Sequence, residues 1–327
     1  MGHRRGQRPA RRGRGAHPAD PGAGPAGPEV LDALRRSELA TRRARLLGVP
    51  VGGGAAVLVG GADGDAVYAA FGEVLERLHG RLWVMPGPGT SPSDLERAAA
   101  AHGCIAGAAA GSELLPPEAR GAVAAARAAW SHMSDAANLS GVRVVVLGAG
   151  RIGAGAARML AGQDARVVIA DPDPRRAAAL AAEVDGMTMD ADAALGAHCD
   201  VLMPCADGLA LRAEQVEALR CGVVAGPADG QLADPAVAQT LAACGIVWVP
   251  ELLAGAGGLL SAAREMGLGD LRADADADTN RIAGVTAAVL GAAQDLDTVA
   301  AMDRVATPTP PTPAPDRPLT VRAIRAA

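Results

Sequence analysis

Lysine is missing from the chain: every one of its 31 basic residues is arginine. That absence excludes any mechanism that needs an amine side chain. Aromatics are scarce at 2%, with one Phe, one Tyr and three Trp, so any core must be built from Ala, Val and Leu. The five cysteines (104, 199, 205, 221 and 244) form no C-x-x-C pair, and the six histidines show no metal-ligand spacing. This excludes a disulfide framework and a zinc site, and suits a reducing cytoplasm. No apolar run is long enough to cross a bilayer, so a soluble protein with no membrane partner is expected. The net charge of −5 leaves no basic footprint for nucleic acid.

What is present is half hydrophobic residues over 327 positions, enough for two ordinary domains. Residues 1–28, rich in Arg, Pro and Gly, cannot offset the entropy of ordering and read as a disordered tail. Their charge is not followed by the apolar stretch of a signal peptide. From Ala306 the sequence "ATPTPPTPAPDRP" reads as a second, Pro-rich tail. Between the tails, "EVLDALRRSELATRRARLL" predicts a helix with Val30, Leu31, Leu34 and Leu39 as its apolar positions. "AAVLVG" and "RLWVM" read as strands, "DAVYAAFGEVLERLHG" as an amphipathic helix, and "SPSDLERAAAAHG" as a helix capped by Ser93. "PPEARGAVAAARAAWSHM" is a long helix opened by proline. From Gly141 five strands alternate with helices: "VRVVVLG", "ARVVIAD", "CDVLMPC", "CGVVAG" and "GIVWVP". That alternation predicts a parallel, doubly wound α/β sheet. The chain after Gly258 is mostly helical to about Val305.

The first of these strands runs into Gly148, Gly150 and Gly153, in G-x-G-x-x-G spacing, and the second ends in Asp171, eighteen residues beyond the last glycine. Each part has a physical role. The first glycine permits the tight turn, the second lets a pyrophosphate approach the backbone, and the third lets helix and strand pack closely. The helix N-terminus, with Arg151 and Ile152, supplies free N–H groups. Asp171 is expected to bind both ribose hydroxyls and repel a 2′-phosphate, favouring NAD over NADP, an argument that the neighbouring Arg175 and Arg176 soften.

Three further blocks, "CDVLMPCADG" (199–208), "VVAGPADGQLAD" (223–234) and "GIVWVPELLAGAGGLL" (245–260), follow in order. In sequence and spacing they resemble the cofactor domain of the Glu/Leu/Phe/Val dehydrogenase family, most of all its leucine and valine dehydrogenases. Upstream, "VPVGGGAAVLVG" resembles the family's glycine-rich substrate loop and "RLWVMPGPGT" its next catalytic segment. The resemblance covers roughly residues 30–300 and is weaker in the first third, where the family's N-terminal region looks shortened. It implies an N-terminal α/β substrate and dimerisation domain (29–125), a Rossmann NAD-binding domain (126–280) and C-terminal helices returning to the first domain (281–305). It also implies a homo-oligomer and the oxidative deamination of an L-amino acid to a 2-oxo acid. By the same resemblance Gly53 and Gly54 belong to the substrate loop, Cys205 and Ala206 lie near the nicotinamide, and Arg43 takes the place of a substrate-carboxylate lysine.

The resemblance also marks departures. The family's catalytic lysine follows the glycines, where this chain has Ala55; its catalytic Asp aligns with Gly87. An Asn and a Thr of the family align with Gly255 and Glu118. The catalytic centre thus reads as degenerate, and a non-catalytic homologue that senses a nucleotide or binds a partner is the alternative. Asp207 and Asp229, each before a glycine at a strand end, are either replacement acid/base groups or ordinary turn carboxylates. Arg43 reads equally as a carboxylate anchor or as a solvated helix residue, and Cys205 as a small apolar filler.

Overall fold

A computed structural model describes residues 28–58, 64–79, 81–85, 87, 90, 92–99, 114–206, 208–268, 274–294 and 297–306. The Arg-rich and Pro-rich tails and Asp207 lie outside the described residues. Four helices come first: α1 (Pro28–Leu46), α2 (Gly64–Arg77), α3 (Pro92–Ala99) and α4 (Pro117–Ser134). Then β1 (Arg143–Leu147), α5 (Arg151–Ala161), β2 (Arg166–Ala170), α6 (Pro174–Glu183), β3 (Met187–Met189) and β4 (Val201–Pro204) build the first half of a sheet. The second half follows as α7 (Ala213–Val216), β5 (Val223–Ala225), α8 (Val237–Ala243) and β6 (Val247–Val249). The chain closes with α9 (Glu251–Ala254), α10 (Gly257–Glu265), α11 (Ala275–Ala292) and α12 (Thr298–Val305).

All six strands are parallel, in the order β3-β2-β1-β4-β5-β6. This is the Rossmann arrangement, with the reversal of strand order between β1 and β4 opening a crevice at the carboxyl ends of those strands. Because helices cover both faces, the strands are continuous apolar runs rather than alternating ones. Val144, Val146, Val201, Val223 and Val224 are all inaccessible to solvent. One face is covered chiefly by α4, α5 and α6, the other by α7 and α8 around Leu241 and Trp248.

Helix α4 is the spine, touching β4, β5, β6, α5, α9, α10 and α11. The sequence-based division at 125/126 falls inside it. Its alanines permit close approach, and two glycines permit the closest. Gly121 faces the Gly257 nitrogen and the Ala254 carbonyl, and a side chain at Gly257 would overlap the Pro117 carbonyl oxygen. An ion pair between Arg264 and Asp278 joins α10 to α11, and α12 returns to touch α1.

Three sequence expectations differ from the structure. The described part of "AAVLVG", residues 55–58, forms no strand, its last two residues lying outside the described residues, and neither does Arg81–Met85; Val84 is an isolated bridge residue, and Val57 and Leu58 are exposed. Ser93 lies inside α3 rather than capping it. On α1, Leu31 and Leu34 are about two-thirds exposed at 65% and 63%, while the buried positions are Ala44, Leu46 and Leu47 near its end. The apolar period fits a helix, but it is the second half of α1 that reaches the core, where Leu39 packs partly buried against it.

Candidate functional site

The loop after β1 turns at Gly148, whose φ of 106° is open to glycine and strained for any L side chain. A Cβ there would press on the Cβ of Ala206, 2.8 Å away, so this loop and the one after β4 meet at the switch point. Gly153 is equally constrained, since a Cβ would overlap the Gly148 carbonyl oxygen. Gly150 is different: a Cβ would meet nothing within 4 Å. Open space thus stands above the residue that caps α5. No side chain caps that helix and its first turn has no acidic residue, so its free N–H groups and positive dipole end are available to an anion.

Asp171 is buried, and its carboxylate organises the loop from below. Oδ2 accepts from the Ala149 N–H at 2.7 Å; Oδ1 accepts from the Asp173 N–H at 2.8 Å and from Arg176 Nη2 at 2.9 Å. A ribose hydroxyl reaching this carboxylate would take the place of the half-exposed Arg176. Arg151, the first residue of α5, reaches instead across to Glu118 of α4 in a two-pronged ion pair at 3.1 and 3.3 Å. Ile152 is half-buried against the core and Ala206 is exposed. Cys205 is half-buried, and burial pushes its thiol up to about 12, which leaves it protonated and a poor nucleophile near neutrality.

These loops fit a dinucleotide: a cradle without side chains, an uncapped helix N-terminus and a carboxylate at the end of β2. The glycine-rich segment packs on α1. Gly53 donates its N–H to Thr41 Oγ1 at 2.9 Å and accepts from Ser37 Oγ at 2.8 Å. A side chain at Gly53 would collide with the backbone of α1, so this glycine is required by close packing against that helix. Ala55, two residues on, is half-buried, and Gly87 is exposed with open space around it.

Two residues beyond Thr41 on the same helix, Arg43 crosses to the Rossmann loops. Its Nη2 donates to Asp229 Oδ1 at 3.4 Å and to the Glu251 carbonyl at 3.3 Å, and its Nε donates to the Leu252 carbonyl at 3.2 Å. Asp229 also faces Arg36 at 3.8 Å. The loop carrying Asp229 is fixed by the buried Gln231, which donates to the Gly226 and Ala228 carbonyls and accepts from Trp248 Nε1. Gly255 lies against Arg43: a Cβ there would come 3.3 Å from Nη2, so a larger residue would crowd the guanidinium. The structure thus brings Arg43, Asp229 and Gly255 together, as neither a solvated arginine nor an isolated turn carboxylate.

Sequence reasoning missed Glu251. It opens α9 directly after β6, and its Oε2 is buried with no hydrogen-bond partner among the described residues. Desolvation raises its carboxyl above the ordinary 4.5. Its own backbone N–H opposes this, Asp229 adds to it, and Arg43 opposes it. The available signal was its position, an acidic residue at the carboxyl end of a parallel strand. A raised folded-state value means that the favourable contribution is complete below 4.5 and is lost as pH rises through the folded value. Glu251→Gln is therefore expected to melt higher than the wild type at pH 8 and level with it at pH 4, measured by calorimetry. Parallel pH profiles would show that the carboxyl is solvated.

Among the described residues no group of three or more His, Cys, Asp or Glu could hold a metal ion, and no helix is long and apolar enough to cross a membrane.

The sheet order and the loop around Gly148 define a Rossmann protein with a dinucleotide crevice. Comparison with known proteins agrees. Residues 118–208 match the NAD binding domain of the D-isomer specific 2-hydroxyacid dehydrogenases, and residues 169–281 match the Glutamate/Leucine/Phenylalanine/Valine dehydrogenase family. Over residues 169–281 the chain is similar to the latter family, and the match at 118–208 is to an NAD-binding domain. The chain is 27% identical over 242 residues to a leucine dehydrogenase of Geobacillus stearothermophilus, covering 72% of this chain and 66%, just under two thirds, of that enzyme. An L-tryptophan dehydrogenase of Nostoc punctiforme is 27% identical, covering 72% of this chain and 68% of its own length. The crystal structure of L-tryptophan dehydrogenase from Nostoc punctiforme superposes with a TM-score of 0.71 at 25% identity, covering 84% of this chain and 81% of that one.

Proposed function

We propose that the chain is an NAD-dependent oxidoreductase of amino acids or 2-oxo acids whose cofactor frame is retained and whose usual proton-transfer groups are gone. The observation that carries this reading is the open, side-chain-free surface at Gly150 above an uncapped helix end, beside the Asp171-organised loop. The dinucleotide, when bound, supplies hydride transfer. In this proposal the pyrophosphate lies over Gly148–Gly153, the adenosine ribose near Asp171, and the nicotinamide toward Cys205 and Ala206. Arg43 holds the substrate carboxylate by exchanging its contact with Asp229, a planar guanidinium being suited to two-pronged carboxylate binding. Glu251 is the carboxyl placed to hold or release a proton beside it, since a raised value keeps a carboxyl useful nearer neutrality.

The second reading, a homologue that binds the nucleotide without turnover, is favoured by Ala55 and Gly87: neither offers a charge or a proton at the two aligned catalytic positions. Titration with NADH followed by a screen of amino and 2-oxo acids for absorbance change separates the two. Turnover with any acid supports the first; NADH binding with none across the screen supports the second.

The two-domain division at 29–125, 126–280 and 281–305 belongs to the same proposal, supported by α12 returning to α1. Self-association belongs to it too, supported by the uncovered Leu31 and Leu34 on α1. Sedimentation is expected to show a species larger than the monomer at micromolar concentration; a monomer alone would refute it.

A further inference from the structure

Two cysteines lie far from the crevice, at the amino ends of β4 and β5. These strands pair in parallel with Val201 opposite Val223 and Leu202 opposite Val224, and the same register reappears upstream as a bridge between His198 and Arg220. Cys199 and Cys221 are the next pair in that register. The Cys199 N–H donates to the Arg220 carbonyl at 3.2 Å, which holds the two backbones together at this level. Neighbouring strands run about 4.8 Å apart, inside the roughly 4.4–6.8 Å between Cα atoms that a disulfide spans. Both side chains face the same side of the sheet, where they pack against the cluster that includes Leu202, Val224 and Trp248. Cys199 is buried and Cys221 half-buried, so the pair is reachable from one side. Each thiol is the largest influence on the other: their proximity holds Cys199 below the ordinary thiol value and raises Cys221. Cys205 stands at the opposite end of β4, and Cys244 is exposed at the end of α8.

We propose that Cys199 and Cys221 form a hydroperoxide-reactive dithiol that closes to a cross-strand disulfide. The Cys199 thiolate attacks one peroxide oxygen; the O–O bond breaks and the departing hydroxide takes a proton to become water, leaving Cys199 as a sulfenic acid. The Cys221 sulfur then attacks the Cys199 sulfur. The S–O bond breaks, and the leaving hydroxide takes the Cys221 proton as a second water. Two thiols lose two electrons and one peroxide is reduced to two waters. A small oxidant suits the site because Cys199 is buried, and a thiolate partner within reach favours the disulfide over further oxidation. The bond closes the segment that carries Cys205 and Ala206. It does not depend on which amino or 2-oxo acid the crevice takes.

The test is to treat the full chain with one equivalent of hydrogen peroxide, alkylate it, digest it and place any bond by fragmentation. The expected product is a Cys199–Cys221 cross-link, lighter by two hydrogens, reversed by dithiothreitol and accompanied by a thermal midpoint raised by several degrees. Cys205→Ser and Cys244→Ser should retain the cross-link. Cys221→Ser should lose it and leave a sulfenic acid at Cys199 that dimedone traps. Both cysteines recovered as free thiols while Cys244 is oxidised would overturn the proposal, as would a bond from either to another cysteine or to a second chain.

Discussion

Ala55→Lys combined with Gly87→Asp is expected to raise kcat/KM for oxidation of leucine, valine or phenylalanine by at least about 10²-fold over the wild type, the scale on which a positioned acid or base acts. Each single change should recover less than about tenfold, because groups that act as a unit are not additive. The chemistry is direct. Ala55 has no charge with which to polarise the carbon–nitrogen centre, and Gly87 has no carboxylate with which to move a proton. At Gly87 an added Cβ would meet nothing within 4 Å, and Ala55 is only half-buried. Arg43 cannot replace them as a base, a guanidinium being always protonated near neutrality. A folded double variant that binds NADH and shows no gain would contradict the placement of these two positions. A wild type that already turns over at an ordinary enzymatic rate would contradict the loss itself, and would direct attention to Glu251.

Two substitutions in the glycine loop should separate folding from binding. At Gly150 an added Cβ would meet nothing within 4 Å beyond its chain neighbours, and the backbone angle there is an ordinary one. Gly150→Val is therefore expected to leave the melting temperature within a degree or two of the wild type while weakening NADH by at least tenfold, or about 1.4 kcal/mol. Its side chain would stand where the pyrophosphate approaches. Gly153→Ala should behave otherwise. Its Cβ would overlap the Gly148 carbonyl oxygen, so the helix and the loop must part, at a cost of about 1–3 kcal/mol in stability together with the loss of NADH binding. Thermal melting and fluorescence titration of the two variants side by side make the comparison. Unchanged NADH affinity in Gly150→Val would move the pyrophosphate away from this loop.

The Rossmann half was legible because local pattern and tertiary role coincide there. The β-branched runs at 143–147, 166–170 and 201–204 are buried on both faces, so burial writes itself into the sequence as continuous hydrophobicity. The edge strand Met187–Met189 escaped notice because its residues are largely exposed and only one neighbour pairs with it. In the first third, "AAVLVG" has the composition of a strand, but the described part of it has no strand partner, and composition alone cannot supply one. The glycines were legible as a motif but not in their reasons: Gly53 is required by its packing on Ser37 and Thr41, and Gly257 by α4. Glu251 and the Arg43–Asp229 pair were invisible as a constellation because their members lie about two hundred residues apart in the chain and meet only when α1 docks on the loops after β5 and β6.

Isothermal titration of the unmodified chain with NADH and, separately, with NADPH tests the central claim most directly. The account predicts saturable binding of NADH that is tighter than that of NADPH, since Asp171 would meet a 2′-phosphate with a like charge. Binding of neither would contradict the retained cofactor frame on which the whole functional reading rests.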